Sequence, residues 1–298
     1  MSHEEAHMDV AVGQPQHTPL EQSAPDRIGE ILIASGVLKE ADVAKILRVQ
    51  NKRGLRFGEA AVALRYVNER DLRRALAQQA EFPFVVPGES ALSYRLAAAY
   101  EPFAQYAEGL RTLRSQLSMR WLGSGGSALA IAAPRHGDGC STLAGNLAIV
   151  FAQLGERTLL IDTDMRNPSQ HDLFGLDGGD GLAELLNARL EIDDAIQQVP
   201  HFDHLCVLPA GSPPPNPQEL LSRLSFTELL TELGTRFDVI LLDTPPLLQF
   251  ADAQIVAARA GACVLGTRRN GSTLDDIARA KAQLNPSITN FLGAVISD

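Results

Sequence analysis

Residues 127–142 read SALAIAAPRHGDGCST, and this stretch decides the fold. An apolar run ends at Pro134, a glycine-punctuated turn follows, and Ser141-Thr142 open a segment, STLAGNLAIVFAQLG, with helical apolar spacing. Strand, glycine turn and helix in that order form a cradle for anions. The glycines let backbone N–H groups converge, and the helix aims the positive end of its dipole at the same point. A lysine ordinarily precedes the Ser-Thr pair in such a loop. Here that residue is Cys140. The phosphate-binding set is then Gly137, Asp138, Gly139, Cys140, Ser141 and Thr142, without its cationic member.

Downstream, short apolar runs alternate with helical patterns. RTLLIDTD, HLCVLPAG, FDVILLDTPP, ACVLGTRR and FLGAVIS read as strands, with helices near 181–189, 217–234, 252–260 and 272–284. Continuous apolar strands separated by helices predict an α/β domain, a parallel sheet with helices on both faces. Ligands of such sheets sit beyond the carboxyl ends of the strands. Polar residues fall at those ends: Asp162, Asp164 and Arg166 in LLIDTDMRNP, Asp243 in VILLDTPP, and the loop GSPPPNPQELL.

Upstream lies a duplication. RIGEILIASGVLKEADVAKILRVQ (27–50) and RFGEAAVALRYVNERDLRRALAQQ (56–79) share Arg-x-Gly-Glu openings and closing glutamines, with NKRGL between them. Each copy reads as two short helices about a turn. Ile28, Ile31 and Leu32 form one apolar face, and Val43, Ile46 and Leu47 another, so two helical hairpins would pack together. Asn68 is placed to cap a helix with Asp71 in its first turn. Gly36 of the first copy is Arg65 in the second. Residues 26–86 are basic on balance within an acidic chain.

The expected organisation is a disordered tail over 1–25, a helical domain over 26–86, a linker over 87–102 and an α/β domain over 103–298. The linker reading rests on the prolines of PFVVPGESALSYRLAAAYEP, and FAQYAEGLRTLRSQLSMRW after it reads as an amphipathic helix. The net charge of −10 argues against nucleic acid as a partner. No apolar run is long enough to span a membrane. Three widely spaced cysteines and no secretory pattern point to the cytoplasm.

Two resemblances follow from these residues. GDGCST, LLIDTDMR and VILLDTPP resemble the Walker A, A′ and B motifs of bacterial tyrosine kinases of exopolysaccharide chain-length control, within the ParA/MinD group of P-loop proteins. PPNPQELL, EGLRTLRSQL and His171 match further segments, and the two-part organisation resembles the EpsG group. The resemblance implies Mg-ATP or Mg-ADP as cofactor, weakened by the missing lysine. It implies Ser141, Asp162 and Asp243 as metal residues, Asp162 and Asp164 near the attacking hydroxyl, and Arg268 near the base. It also implies a membrane-bound polysaccharide co-polymerase as activating partner, recruitment to the inner face of the plasma membrane, and self-association through Glu108 and Arg111. The tyrosine-rich C-terminal tail of such kinases is missing from FLGAVISD. The duplicated segment resembles the N-terminal domain of type II secretion and pilus ATPases, one branch of which binds cyclic di-GMP. Arg27 and Arg56 would then contact the nucleotide. A helical adaptor for a protein partner is the alternative.

Three functions stay open on the sequence: a regulatory pseudokinase, an active protein-tyrosine kinase, and a MinD-like positioning ATPase. The last would use Arg135 in place of a signature lysine, where an ordinary loop arginine is the plainer reading. A thiolate at Cys140, favoured by a helix N-terminus, would repel phosphate. A redox role for it lacks a nearby resolving cysteine in the sequence.

Overall fold

A computed structural model describes residues 23–79 and 82–297, with side chains from 28 onward. The expected disordered tail lies almost wholly outside the described residues. The chain divides between residues 81 and 82 into two compact units.

The first unit is helical: α1 (Ser23–Ala34), α2 (Glu40–Arg53), α3 (Phe57–Ala63) and α4 (Glu69–Gln79). Its core gathers Leu32, Leu38, Ile46, Phe57, Ala60, Ala61, Val67 and Ala75. The duplication extends to the hydrogen bonds of the turns. Gly36 N–H donates to Ile33 O and Val37 N–H to Leu32 O, and Arg65 and Tyr66 repeat these bonds to Val62 and Ala61. Both Gly36 and Arg65 are left-handed, at φ of 73° and 58°. The α4 cap is as expected, with Asp71 N–H donating to Asn68 Oδ1 at 2.8 Å. Leu47, expected on the buried face with Ile46, is 37% exposed. Ile46 alone of α2 is wholly buried, because the small core takes only a narrow stripe of this helix.

The second unit is α/β. After α5 (Ala97–Tyr100) and α6 (Gln105–Arg120) come β1 (Ala128–Ala132), α7 (Cys140–Ala152), β2 (Thr158–Asp162) and α8 (Gln170–Phe174). Then follow α9 (Leu182–Leu186), α10 (Ile192–Ala195), β3 (Gln197–Gln198), β4 (Leu205–Leu208), α11 (Pro217–Ser222) and α12 (Leu224–Arg236). The unit closes with β5 (Val239–Asp243), α13 (Asp252–Ala260), β6 (Ala262–Arg268), α14 (Leu274–Gln283) and β7 (Asn290–Ser297). The sheet order is β3-β4-β2-β5-β1-β6-β7, all parallel except β3 against β4. Alternate residues of each strand feed opposite cores. Leu129, Ile131, Leu160 and Leu241 join α7 on one face, while Ala130, Ile161 and Leu242 join α11, α12 and α13 on the other. Both faces are covered, as the unbroken apolar strands require.

The linker expected at 87–102 is not a tether. Leu92, Leu96, Ala98, Ala99 and Tyr100 are buried in the core around α7. Val85 N–H bonds Ala99 O, and Ser93 N–H bonds Leu173 O, both at 2.8 Å. Prolines set turns in this strap without freeing it, because its apolar side chains have a core to enter. Among the described residues no helix is long and apolar enough to cross a membrane.

Candidate functional site

The carboxyl ends of β1, β2 and β5 converge on the loop before α7. Gly137 and Gly139 take φ of 88° and 86°, backbone angles that glycine adopts without a Cβ penalty. A Cβ at Gly137 would meet nothing within 4 Å, so conformation and not crowding calls for glycine there. Asp138 is buried and shapes the turn: its Oδ2 accepts from Arg135 N–H at 2.9 Å. It faces inward and is not a wall of the cavity above the loop. That cavity, about 200 Å³, is bordered by Gly137, Gly139, Cys140, Ser141, Asp164 and Thr244 among others. A larger one of about 390 Å³ adjoins it, with Thr142, Leu143, Tyr106 and Arg268 in its walls.

Cys140 stands at the lysine position with its Sγ directed at the carbonyl of Ile131, 3.1 Å away. Burial, and then the neighbouring Asp243 carboxylate, hold the thiol well above its ordinary range. The thiolate expected from the helix terminus is therefore not the resting form. With its thiol raised in this way, Cys140 contributes neither a positive nor a negative charge. Cys263 behaves likewise, pushed up to about 12 by burial. Cys206 is half-buried in β4 and also raised by burial.

Three acids face this loop with different duties. Asp162 and Asp243 end adjacent strands in direct register, and both are wholly buried. Asp162 caps α8: its Oδ2 accepts from Ser169 N–H and Gln170 N–H at 2.9 Å, and its Oδ1 from Asp164 N–H. Asp243 Oδ2 accepts from Gln170 Nε2 at 2.7 Å, while Oδ1 has no partner. Burial pushes Asp243 up to about 6, with the Gln170 bond opposing the rise. Burial, then Asp243, raises Asp162 as well. Asp164 borders the smaller cavity, and its Oδ1 accepts from Arg166 and Asn167 N–H. Its carboxyl is raised by burial, against those two bonds.

An unpartnered buried oxygen beside a second buried acid fits a site for a divalent cation, which would relieve both. Among the described residues no three His, Cys, Asp or Glu side chains group to hold a metal by themselves. Mg²⁺ does not need such a cage, since it takes one or two protein ligands, water and phosphate oxygens.

Gln170 is a site residue that the sequence reading missed. It is wholly buried and ties the carbonyl of Ser141 to Asp243, at 3.0 and 2.7 Å. Nothing in its local sequence marks it, since its role depends on α8 returning beneath the loop. Arg95, in the strap read as a linker, was missed too, although its guanidinium reaches Thr142 Oγ1 at 2.6 Å. The arginines that were singled out have other partners. Arg135 makes a two-pronged pair with Asp276 at 2.8 and 2.9 Å and holds that carboxyl down at about 2. Arg166 pairs with Asp252 and lies over the Phe250 ring. Arg111 pairs with Glu108 along α6 and donates to Pro102 O. Arg268 borders the larger cavity. His171 contacts Asp172.

In the helical unit a cavity of about 340 Å³ opens among Ile28, Gln50, Arg56, Phe57, Glu59 and Leu72, with Gly58 and Leu76. Gln50 Oε1 is buried there without a partner. Arg27 lies in α1, and its side chain is outside the described residues.

Comparison with known proteins agrees with this geometry. The AAA domain family matches residues 126–265. The chain is 36% identical over 208 residues to the tyrosine-protein kinase YwqD of Bacillus subtilis, covering 70% of this chain and 87% of that one. It superposes on the kinase domain of the Escherichia coli tyrosine kinase ETK with a TM-score of 0.65 and 29% identity, over 68% of this chain and 79% of that one. The cell division ATPase MinD of Pyrococcus furiosus is similar at a TM-score of 0.50 and 26% identity, over 57% and 71% of the two chains.

Proposed function

Because the chain belongs to the bacterial tyrosine-kinase family, on the P-loop fold shared with ParA and MinD, we propose that it is a regulatory member that binds Mg-nucleotide without efficient phosphoryl transfer. Its setting is exopolysaccharide synthesis and chain-length control. The observation that carries this reading is Cys140, a thiol where the lysine would stand, turned onto Ile131 O in a loop otherwise built to bind phosphate.

The loop keeps its backbone donors, because Gly137 and Gly139 fix its shape independently of residue 140. Ser141 and Asp243 would hold Mg²⁺, Asp243 through water, with Asp162 behind them. Asp164, the acid that reaches the cavity wall, would face an acceptor hydroxyl. Arg268 would lie along the base. Bound Mg²⁺ neutralises phosphate charge, but phosphoryl transfer also draws on a side-chain cation. Losing one charge-assisted hydrogen bond costs about 1.5–3 kcal/mol in binding. Turnover falls further, since the missing charge acts chiefly on the transition state.

The test is titration of the purified chain and its Cys140→Lys variant with Mg-ATP and Mg-ADP, with hydrolysis measured alongside. The variant should bind roughly ten- to a hundredfold more tightly and gain hydrolysis. If the unaltered chain already hydrolyses ATP as fast as the lysine variant, another group supplies the charge and the regulatory reading is wrong; transfer to an added tyrosine substrate then marks an active kinase. The positioning-ATPase reading asks Arg135 to reach a neighbouring subunit, and its pairing with Asp276 disfavours that.

The helical unit supplies a second input. Arg56 and the unpartnered Gln50 Oε1 at one cavity support response to cyclic di-GMP. The same titration run with cyclic di-GMP, and with Arg56→Ala, decides this; absence of heat leaves the unit as a helical adaptor. A membrane-bound polysaccharide co-polymerase is the proposed partner, drawing the protein to the inner face of the membrane. Self-association would use α6, where Glu108 is already held by Arg111. A monomer by light scattering in these samples, with and without nucleotide, would rule that out.

A further inference from the structure

We infer that Arg95 is an anion-binding residue of the P-loop site, replacing the missing lysine's charge for nucleotide binding but not for transfer. This rests on the nucleotide reading above and adds a residue outside the family's loop motifs. Arg95 enters from the strap. Its backbone is fixed on the first two turns of α7, where its carbonyl accepts from Asn146 Nδ2 at 2.9 Å. The next residue, Leu96, is wholly buried, and a Cβ at Gly145 would come within 2.8 Å of its side chain. From that anchor the exposed guanidinium reaches Thr142 Oγ1.

Three observations single it out. Arg95 borders both the smaller and the larger cavity, as do Gly137 and Gly139. Its hydrogen-bond partner is a neutral hydroxyl, so its charge is not cancelled, whereas Arg135 and Arg166 are each paired with a buried carboxylate. Arg268 borders the larger cavity alone. An arginine presenting a fork of donors where two cavities meet over a glycine loop suits a polyphosphate lying across them.

Its side of the loop sets its role. The Ser141 carbonyl is joined through Gln170 to Asp243, so Ser141 belongs to the acidic side. Thr142 is the next residue along the helix, about 100° around its axis, and its hydroxyl meets Arg95. The charge therefore enters from the Thr142 side of the loop and not from the side of Asp243, which Gln170 holds. It favours di- and triphosphates alike in the ground state and does little for the transition state.

The experiment is calorimetric binding of Mg-ADP and Mg-ATP to the full chain and to Arg95→Ala, Arg95→Gln and Arg95→Lys. Melting temperatures should be unchanged, as the side chain is exposed. Arg95→Ala and Arg95→Gln should weaken both nucleotides by the same factor, roughly ten- to a hundredfold. Arg95→Lys should retain most of the affinity. Arg95→Gln keeps a donor for Thr142 without the charge, so full affinity in that variant would make Arg95 a tether of the strap and overturn the inference. A loss confined to ATP would also overturn it, by moving the charge to the transferring phosphate. If nucleotide binds and Arg95→Ala leaves affinity unchanged, only the assignment of Arg95 falls. If neither the unaltered chain nor Cys140→Lys binds either nucleotide, the nucleotide reading falls with it.

Discussion

Ionising a wholly buried carboxyl that keeps one oxygen unpartnered is costly, and Asp243 is such a group. Its proton is held to about 6, against an ordinary value of about 3.9 in an unfolded chain. Between those two pH values the folded chain keeps a proton that the unfolded chain releases. Asp243 should therefore lower stability as pH rises from about 4 to about 6. Asp162 lies beside it and the two titrate as a pair; its rise comes first from burial and then from Asp243, so substituting Asp243 removes only the second cause. Asp243→Asn should make this fall shallower and stabilise the protein near neutral pH by up to about 3 kcal/mol. Urea unfolding at pH 4.5 and 7.5 reads it directly. Mg-nucleotide should narrow the gap between the two pH values in the unaltered protein and leave the variant unmoved. Equal pH slopes in the two proteins would mean that Asp243 is not the group that titrates.

Among the elements, the turns of the duplicated unit separate what sequence can and cannot convey. Gly36 and Arg65 occupy the same left-handed position with the same hydrogen bonds. The duplication and the arginine at the glycine position were visible in the residues, but the left-handed backbone they share was not. A non-glycine residue there costs about 1–2 kcal/mol, partly offset by the entropy that glycine brings to the unfolded chain. Arg65 is exposed, so little packing is lost on its removal. Arg65→Gly should stabilise the helical unit by roughly 1 kcal/mol, seen as a rise in its thermal midpoint, and an unchanged or lower midpoint would count against strain at this turn. In the other unit the main strands and their acidic ends were legible, because unbroken apolar runs and a terminal carboxylate are local signals. The two-residue β3 and the five-residue α8 were not. Elements so short carry no periodicity, and α8 owes its start to the distant Asp162. Gln170 went unread for the same reason.

On the scale of the whole molecule, where the α/β unit begins matters most. Prolines suggested a linker through residue 102, yet residues 82–100 form a strap over α7 and α8. Leu92 and Leu96 enter the core. Gln153 Nε2 donates to the carbonyls of Pro83 and Ala98. The wholly buried Asn146 joins the strap from both ends of its amide, accepting from Ala98 N–H and donating to Arg95 O. A chain beginning at 103 would expose the surfaces that Leu92 and Leu96 cover, at about 1.5–3 kcal/mol for each side chain. It would also leave Asn146 short of partners, at about 1–3 kcal/mol more. The total is comparable with the ~5–15 kcal/mol that holds a typical domain folded. A chain beginning at Phe82 keeps all of these contacts. Its α/β transition should match that of the full chain, whereas one beginning at 103 should melt at least roughly 10 °C lower or fail to fold. Calorimetry on the two truncations decides the matter, and equal melting temperatures would restore the linker. The same comparison bears on function, because the shorter chain also lacks Arg95. Should it remain folded, it should bind Mg-ADP no better than Arg95→Ala does, since the strap that completes the core is also the one that brings a cation to the phosphate loop.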